Sequence, residues 1–421
     1  MPDGNEPTLL ASATFVVQKL QQAGYAAYFA GGSVRDQLLG KPVKDYDVAT
    51  SAHPAQVLAI FPKARRVGAA FGVVLVNYRG HAVEVATFRT DGEYADGRRP
   101  KDVQFTNAQT DAQRRDFTCN GLFLDPLTGQ IMDYVGGRQD INSKTLRAIG
   151  DPVQRFGEDH LRMLRAVRFA ARLEFSIHPD TWAAIQVMAD NLKLISRERI
   201  GQEMRFMLSH VTRGRAVRLL ADSGLLARVL PLDTVPGPAG RGRPAEWSND
   251  CLVIDRLPET AGFAVSLAAL IYDFYAAFPL SDAVAGQLQN ALALSGQEKA
   301  DVAWLADKLP LLSGWRSLRT AAVKRLMADH RFTDLTALLQ AVTHDLDQGR
   351  ALDLHLNSLA ADPIAPPPFV TGDDLLKMGA AAGPNFRRWL DELYDRQLEN
   401  EFADRAVALE AARRLAFPDG E

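Results

Sequence analysis

Cysteine is scarce. Only Cys119 and Cys251 occur in 421 residues, far apart in sequence, which argues against a disulfide framework or a zinc ribbon and fits a reducing, cytoplasmic setting. Long apolar runs are missing as well. None approaches the length that crosses a bilayer, so no membrane association is expected. The opening MPDGNEPTLL carries acid and proline where a signal peptide would place a basic stretch before an apolar core, and no signal peptide is expected. Neither sign of charge dominates. A formal net charge of -3 gives no global attraction to nucleic acid, although a local basic face suffices for RNA. The G-x-G-x-x-G fingerprint and the Gly-Lys-Ser/Thr of a Walker loop are absent, which sets aside two common nucleotide-binding designs. No internal repeat is present.

What is present begins with enough apolar residues, 47%, for real cores, in a length that implies two to four domains. Up to about Gly150 the two periodicities are mixed. Thr14 to Ala23 is spaced as an amphipathic helix, Tyr25 to Ala30 as a short apolar strand, and Ser33 to Leu39 as a helix stopped by Gly40. FGVVLVNY (Phe71 to Tyr78) is a β-branched run. His81 to Phe88 alternates, with Val83 and Val85 on one side and Glu84 on the other. The next stretch, DGEYADGRRPKD, has no period and predicts a mobile loop. From Asp151 onward helix follows helix and clear strands do not reappear. Asp151-Pro152 and His178-Pro179-Asp180 are turns into helices. Pro231 to Trp247 and the proline-rich DPIAPPP (Asp362 to Pro368) predict connections, and Gly372 to Arg414 one small helical module. The expected fold class is α+β: a mixed sheet with helices, then an all-α remainder.

The densest chemistry lies in GGSVRDQLLGKPVKDYDVAT, from Gly31 to Thr50. A strand, Gly31-Gly32 and then a helix set backbone N–H groups against an anion, and Ser33 and Arg35 stand where they would add contacts. A glycine pair alone is more often only a tight turn. Asp45 and Asp47 flank Tyr46, and on a strand residues two apart share a face. Two carboxylates side by side suit a hard divalent cation such as Mg²⁺. With a third acid they would hold two ions, one activating a 3′-hydroxyl and one holding the triphosphate and the leaving pyrophosphate. Glu84 and Asp116 both qualify as that third acid, and the sequence does not choose between them.

RRDFTCNGLFLD (Arg114 to Asp125) offers Arg115, with Arg114, to sugar or phosphate. In GEDHLRMLRAVRFAARLEF, Asp159, Arg162, Arg165 and Arg168 recur every third residue, so on a helix they span a broad curved face, drifting roughly 60° per step. An Asp–Arg pair on a solvated face would explain the first two, but three neighbouring arginines repel unless an anion compensates them. Asp accepts hydrogen bonds and Arg donates them. Side by side, Asp159 and Arg162 match the edge shared by adenine and cytosine, an exocyclic amine beside a ring-nitrogen acceptor. Uracil and guanine present the opposite polarity. Such bidentate contacts are worth roughly 1–3 kcal/mol of discrimination.

GGSVRDQLLG with DYD, RRDFTCNGL, EDHLRMLRAVRFAARL and ERIGQEM (Glu198 to Met204) occur together and in order. In this the chain resembles the bacterial, class-two branch of the tRNA nucleotidyltransferase and poly(A) polymerase superfamily, and TGDDLLKMGAAAGPNFRRWLDELYDRQLEN is similar to its tail module. The resemblance implies a polymerase-beta-like nucleotidyltransferase head (1–150), then an elongated helical neck (151–212), body (213–361) and tail (362–421). It implies Asp45 and Asp47 as metal ligands, with Gly32, Arg35 and Arg115 at the triphosphate and sugar. Asp159 and Arg162 would read the base, with Arg165 and Arg168 supporting the nucleotide. Glu198, Arg199 and Glu203 would brace the neck, and the loop around Asp91 to Pro100 would help switch between C and A. The partners implied are the 3′ end of tRNA, CTP and ATP, and the reaction is CCA addition. Poly(A) synthesis or A-only addition on the same scaffold is the alternative, and a non-catalytic RNA-binding protein is an alternative of another class. LAALIYDF (Leu267 to Phe274) lacks the His-Asp doublet of some relatives, and His344-Asp345 has no partner set, so no phosphohydrolase is expected. Arg205, Arg213, Arg215 and Arg218 are candidates for contact with the tRNA body.

Overall fold

A computed structural model describes residues 8–67, 72–91, 103–230, 252–275, 280–381 and 383–417. The chain divides into two compact units, one up to residue 231 with 291–293 and one formed by the rest.

The first unit begins with α1 (Leu9–Gln22), five residues earlier than the apolar spacing implied, because the Thr8 hydroxyl accepts the Ala11 N–H and caps it. There follow β1 (Ala27–Ala30), α2 (Gly32–Leu38), β2 (Asp47–Thr50), α3 (Pro54–Ile60), β3 (Arg65–Arg66), β4 (Val73–Tyr78), β5 (His81–Thr87), β6 (Arg89–Asp91) and β7 (Val103–Phe105). Next come α4 (Ala108–Gln113), β8 (Leu122–Leu124), β9 (Ile131–Asp133), α5 (Gly137–Asn142) and β10 (Thr145–Leu146). The main sheet runs β3-β4-β5-β2-β1-β8-β9. Only β2 and β5 pair in parallel; the other neighbours are antiparallel. One face buries Phe29, Val48, Val83 and Val85 near α1, whose Val16, Val17 and Leu20 are fully buried. The other packs Ala30, Ala49, Phe88 and Phe123 with Ala108 and Ala112 of α4. Each large side chain so buried contributes about 1.5–3 kcal/mol.

Helices take over with α6 (Pro152–Glu158), whose Asp151 cap accepts the Val153 N–H, and α7 (Leu161–Leu173). A strand does reappear here: β11 (Ser176–Ile177) pairs in parallel with β10. Two residues are too few to show a period, which is why the sequence hid it. Then come α8 (Pro179–Met188), α9 (Arg197–Leu208), α10 (Arg213–Asp222) and α11 (Leu226–Val229). Helix α7 packs against α9 and α10.

The second unit is helical throughout its described residues: α12 (Val253–Arg256), α13 (Phe263–Tyr275), most of α14 (Asp282–Leu292), α15 (Gly296–Ser313), α16 (Thr320–Met327), α17 (Phe332–Thr343) and α18 (Leu346–Leu359). His344 ends α17 in a left-handed conformation and Asp345 caps α18, so this doublet serves a turn. The module expected from Gly372 onward is α19 (Gly372–Lys377), α20 (Pro384–Leu398) and α21 (Arg405–Ala416), joined by Leu375, Leu393, Phe402, Ala408 and Ala412. The expected loop through Pro100 and the connection at Pro231 to Trp247 lie outside the described residues.

Candidate active site

Register explains why the carboxylates meet the glycine turn. Asp47 opens β2 directly across from Ala30, the last residue of β1, and Gly31 comes next. The parallel pairing of Val48 with Val85 sets Glu84 beside Asp47 on the neighbouring strand. Asp45 lies just before β2 rather than within it, yet the alternation holds. Tyr46 is buried against Phe29, with its hydroxyl accepting from Gln37, while Asp45 and Asp47 face outward. Asp47 opens onto a cleft but is walled in by protein. That partial burial first, and then the charges of Glu84 and Asp45, raise its pKa against the pull of Arg115. Negative charge is thus crowded at one spot, which fits a divalent cation with oxygen ligands. Among the described residues no three His, Cys, Asp or Glu already stand together as a metal cluster. The residues that could serve as donors are the aspartate pair, with Glu84 on the neighbouring strand.

The turn itself needs glycine. Gly31 has φ +68°, and a Cβ there would lie 2.9 Å from Nη1 of Arg115. The same cleft, about 1100 Å³, is lined by Gly31, Gly32, Ser33, Arg35, Asp45, Asp47, Arg115 and Asp116, and on its other wall by Asp159, Arg162, Arg165 and Arg168. Of the expected site residues only Glu84 stands outside the lining. The Ser33 hydroxyl donates to the Ala30 carbonyl at 3.1 Å, inside the turn.

Every arginine expected in the site is held by protein acceptors. Arg115 forms an ion pair with Asp111 at 3.0 Å and donates to the Asn120 carbonyl. Asp111 is buried, and although burial opposes it, Arg115 and Arg114 bring its pKa below the ordinary value. Arg35 donates to Asn120 Oδ1 at 2.6 Å, and Asn120 in turn donates to Asp116. Asp116 accepts from Phe117 N–H and Asn120 on one oxygen and twice from Arg165 on the other. Its burial is outweighed by Arg165, these hydrogen bonds and Arg162, and its pKa falls to about 2.

The direct Asp159–Arg162 side-chain pair is not formed. Asp159 ends α6 and takes a two-pronged contact from Arg199 of α9, at 3.1 and 2.7 Å. Arg162 is gripped by Glu158 and by the Arg155 carbonyl. Arg168 pairs with Glu203 at 2.6 Å. The repulsion among three arginines, which pointed to an outside anion, is therefore met by Glu158, Asp116 and Glu203. Phe169 faces the cleft with the guanidinium groups of Arg35, Arg165 and Arg168 at 5.3, 5.3 and 4.4 Å from its ring centre. Glu158, Asp111, Asn120 and Phe169 were not singled out by sequence. For Glu158, Asn120 and Phe169 the signal was membership in the two arginine-bearing motifs, whereas Asp111 precedes the first of them. Cys119 is buried, and burial pushes its thiol up to about 12, so it is no nucleophile.

A sheet that sets paired aspartates beside a glycine turn, facing a helix of clamped arginines, places the protein among the nucleotidyltransferases. Residues 27–147 match the poly A polymerase head domain, and 174–232 the probable RNA and SrmB-binding site of polymerase A. The chain is 48% identical over 227 residues to a CCA-adding enzyme of Geobacillus stearothermophilus, covering 54% of each protein. This alignment spans about half the length of the curated relatives it matches. In structure it is similar to the Bacillus stearothermophilus CCA-adding enzyme in complex with CTP, with a TM-score of 0.79 at 31% identity over 97% of this chain and 98% of that one. It shares the fold of the Thermotoga maritima CCA-adding enzyme complexed with tRNA, with a TM-score of 0.65 at 18% identity over 96% and 97% of the two chains. The chain belongs to the family of CCA-adding enzymes and poly(A) polymerases. None of its described helices is long and apolar enough to cross a membrane.

Proposed function

We propose that this protein is a template-independent nucleotidyltransferase that builds CCA on the 3′ end of tRNA from CTP and ATP, releasing pyrophosphate. The observation that carries this is one cleft holding both halves of the task, Asp45 and Asp47 on one wall and Asp159 with Arg162 on the other. Asp45 and Asp47 would hold Mg²⁺, with Glu84 as the third acid. The full set of hydrogen bonds on Asp116 favours Glu84 over it. Bound there, the ion would lower the pKa of the attacking hydroxyl and offset the triphosphate charge.

Gly31, Gly32, Ser33, Arg35 and Arg115 would take the triphosphate and sugar. Asp159 would accept from the exocyclic amine of adenine or cytosine, and Arg162 would donate to the adjacent ring nitrogen. Arg199 and Glu158 would fix these two side chains, and Arg165 and Arg168 would be steadied by Asp116 and Glu203. We keep the head, neck, body and tail at 1–150, 151–212, 213–361 and 362–421, with body and tail on the tRNA. Arg213 is an unsuitable RNA contact because it is buried, whereas Arg215 is exposed. We assign the protein to the cytoplasm.

The test is incorporation of each labelled nucleotide, with Mg²⁺, into tRNA lacking CCA, tRNA ending in CC and complete tRNA. C and A added up to CCA and no further is the expected result. Long A tails would mean poly(A) synthesis, and A added only after CC would mean a split pathway. Asp45→Ala should lower the rate about 1000-fold or more, equal to about 4 kcal/mol, while tRNA still binds.

A further inference from the structure

Beyond the clamped arginines, the cleft has an end of different character. Lys41 and Lys44 reach it from the connection between α2 and β2, Arg172 from the last turn of α7, and His210 and Thr212 from the turn before α10. Lys41, Lys44 and Arg172 are exposed, and among the described residues none has an ion-pair or hydrogen-bond partner for its side chain. This contrasts with Arg35, Arg115, Arg165 and Arg168 deeper in, each matched to an acid. All three also act on one group: His210 is held below its ordinary pKa by burial and then by Arg172, Lys41, Arg213 and Lys44. Of the acids nearby, Glu174 and Asp45 also line the cleft, while Asp36 is held by Arg35.

An isolated exposed lysine is ordinary surface. Three cations without ion-pair partners, two from the α2–β2 connection and one from α7, lining one cleft, form an anion-binding lip. We propose that this lip binds the backbone phosphates of the RNA strand just behind its 3′-hydroxyl. The proposal rests on the nucleotidyltransferase reading above. If the hydroxyl sits at Asp45 and Asp47, the strand behind it carries one phosphate per nucleotide, and Lys44 is the chain neighbour of Asp45. The nucleoside triphosphate has its own contacts at Gly31, Gly32, Arg35 and Arg115, so the lip is assigned to the acceptor.

The test is the triple variant Lys41→Ala/Lys44→Ala/Arg172→Ala, whose exposed side chains make no contact the fold needs. KM for a tRNA acceptor should rise about tenfold or more with KM for CTP unchanged. The slope of log affinity against log salt, measured by filter binding of a tRNA acceptor-stem minihelix, should flatten by about 2, given roughly 0.7 per single-strand phosphate contact. A minihelix with uncharged methylphosphonates at its last two linkages should bind the wild type more weakly and the variant no differently. An unchanged acceptor KM and salt slope would overturn the proposal, as would a rise in the KM for CTP matching that for RNA. If the wild type added no nucleotide at all, the enzymatic reading would fail, while the filter-binding comparison would still decide whether the lip holds RNA.

Discussion

Asp159 and Arg162 stand three apart in sequence, and each is held by another residue. Arg199, 40 positions on, takes both oxygens of Asp159. Glu158 takes Arg162. A carboxylate that must present one lone pair to a base amine is useful only if its rotamer is fixed, so on the proposed reading Arg199 would be a positioning residue for discrimination. Asp159→Ala should reduce the preference for CTP over UTP roughly ten- to hundred-fold, the span of one good bidentate base contact. Arg199→Ala should reduce it less, and the double variant should be no worse than Asp159→Ala alone. Additive losses would separate the two residues. The KM for the correct nucleotide should shift less than the selectivity, since the triphosphate contacts remain. Competition assays with paired nucleotides measure both. The outward Asp45 and Asp47 around an inward Tyr46 were legible, because a two-residue period survives even where β2 starts only at Asp47. The Arg199 grip on Asp159 was not, because an ion pair between the end of α6 and α9 depends on how the helices pack.

Elements were legible where caps and periods coincide. Asp151-Pro152 opens α6, and His178-Pro179 opens α8. They were hidden where a contact from afar defines them. The four-residue α12 is such a case: its first N–H groups, of Val253 and Ile254, donate to Asp273 on α13 at 3.0 and 3.3 Å. Burial raises the Asp273 carboxyl to about 6, against those N–H groups and Arg256. For an acid whose folded pKa is raised, the folded state keeps its proton to higher pH than the unfolded chain. Its contribution is therefore most favourable at or below the ordinary carboxylate pKa and is lost as pH rises to about 6, amounting to about 3 kcal/mol. Asp273→Asn should remove that part of the pH dependence. Urea unfolding at pH 4 and pH 7 should give a smaller stability difference for the variant than for the wild type, and equal differences would contradict this role.

Across the chain as a whole, all the residues of the cleft, from Gly31 to Thr212, belong to the first compact unit, so the proposed head and neck would make the site together. The order of motifs along the chain made the α+β-then-helical plan legible. The first unit ends at Pro231, where the stretch expected as a connection begins. That α10 and α11 belong to the first unit was not legible, since they have the same helical pattern as the later helices and join it only by packing. The cleft is held here to choose C, C and then A with no template. Sequencing the 3′ ends of tRNA lacking CCA, after incubation with all four nucleoside triphosphates, reads that choice base by base. Ends that stop at CCA are expected for the wild type, and ends that acquire U or G when Asp159 is changed to Ala. Untouched ends, runs of A, or U and G incorporated by the wild type would contradict it.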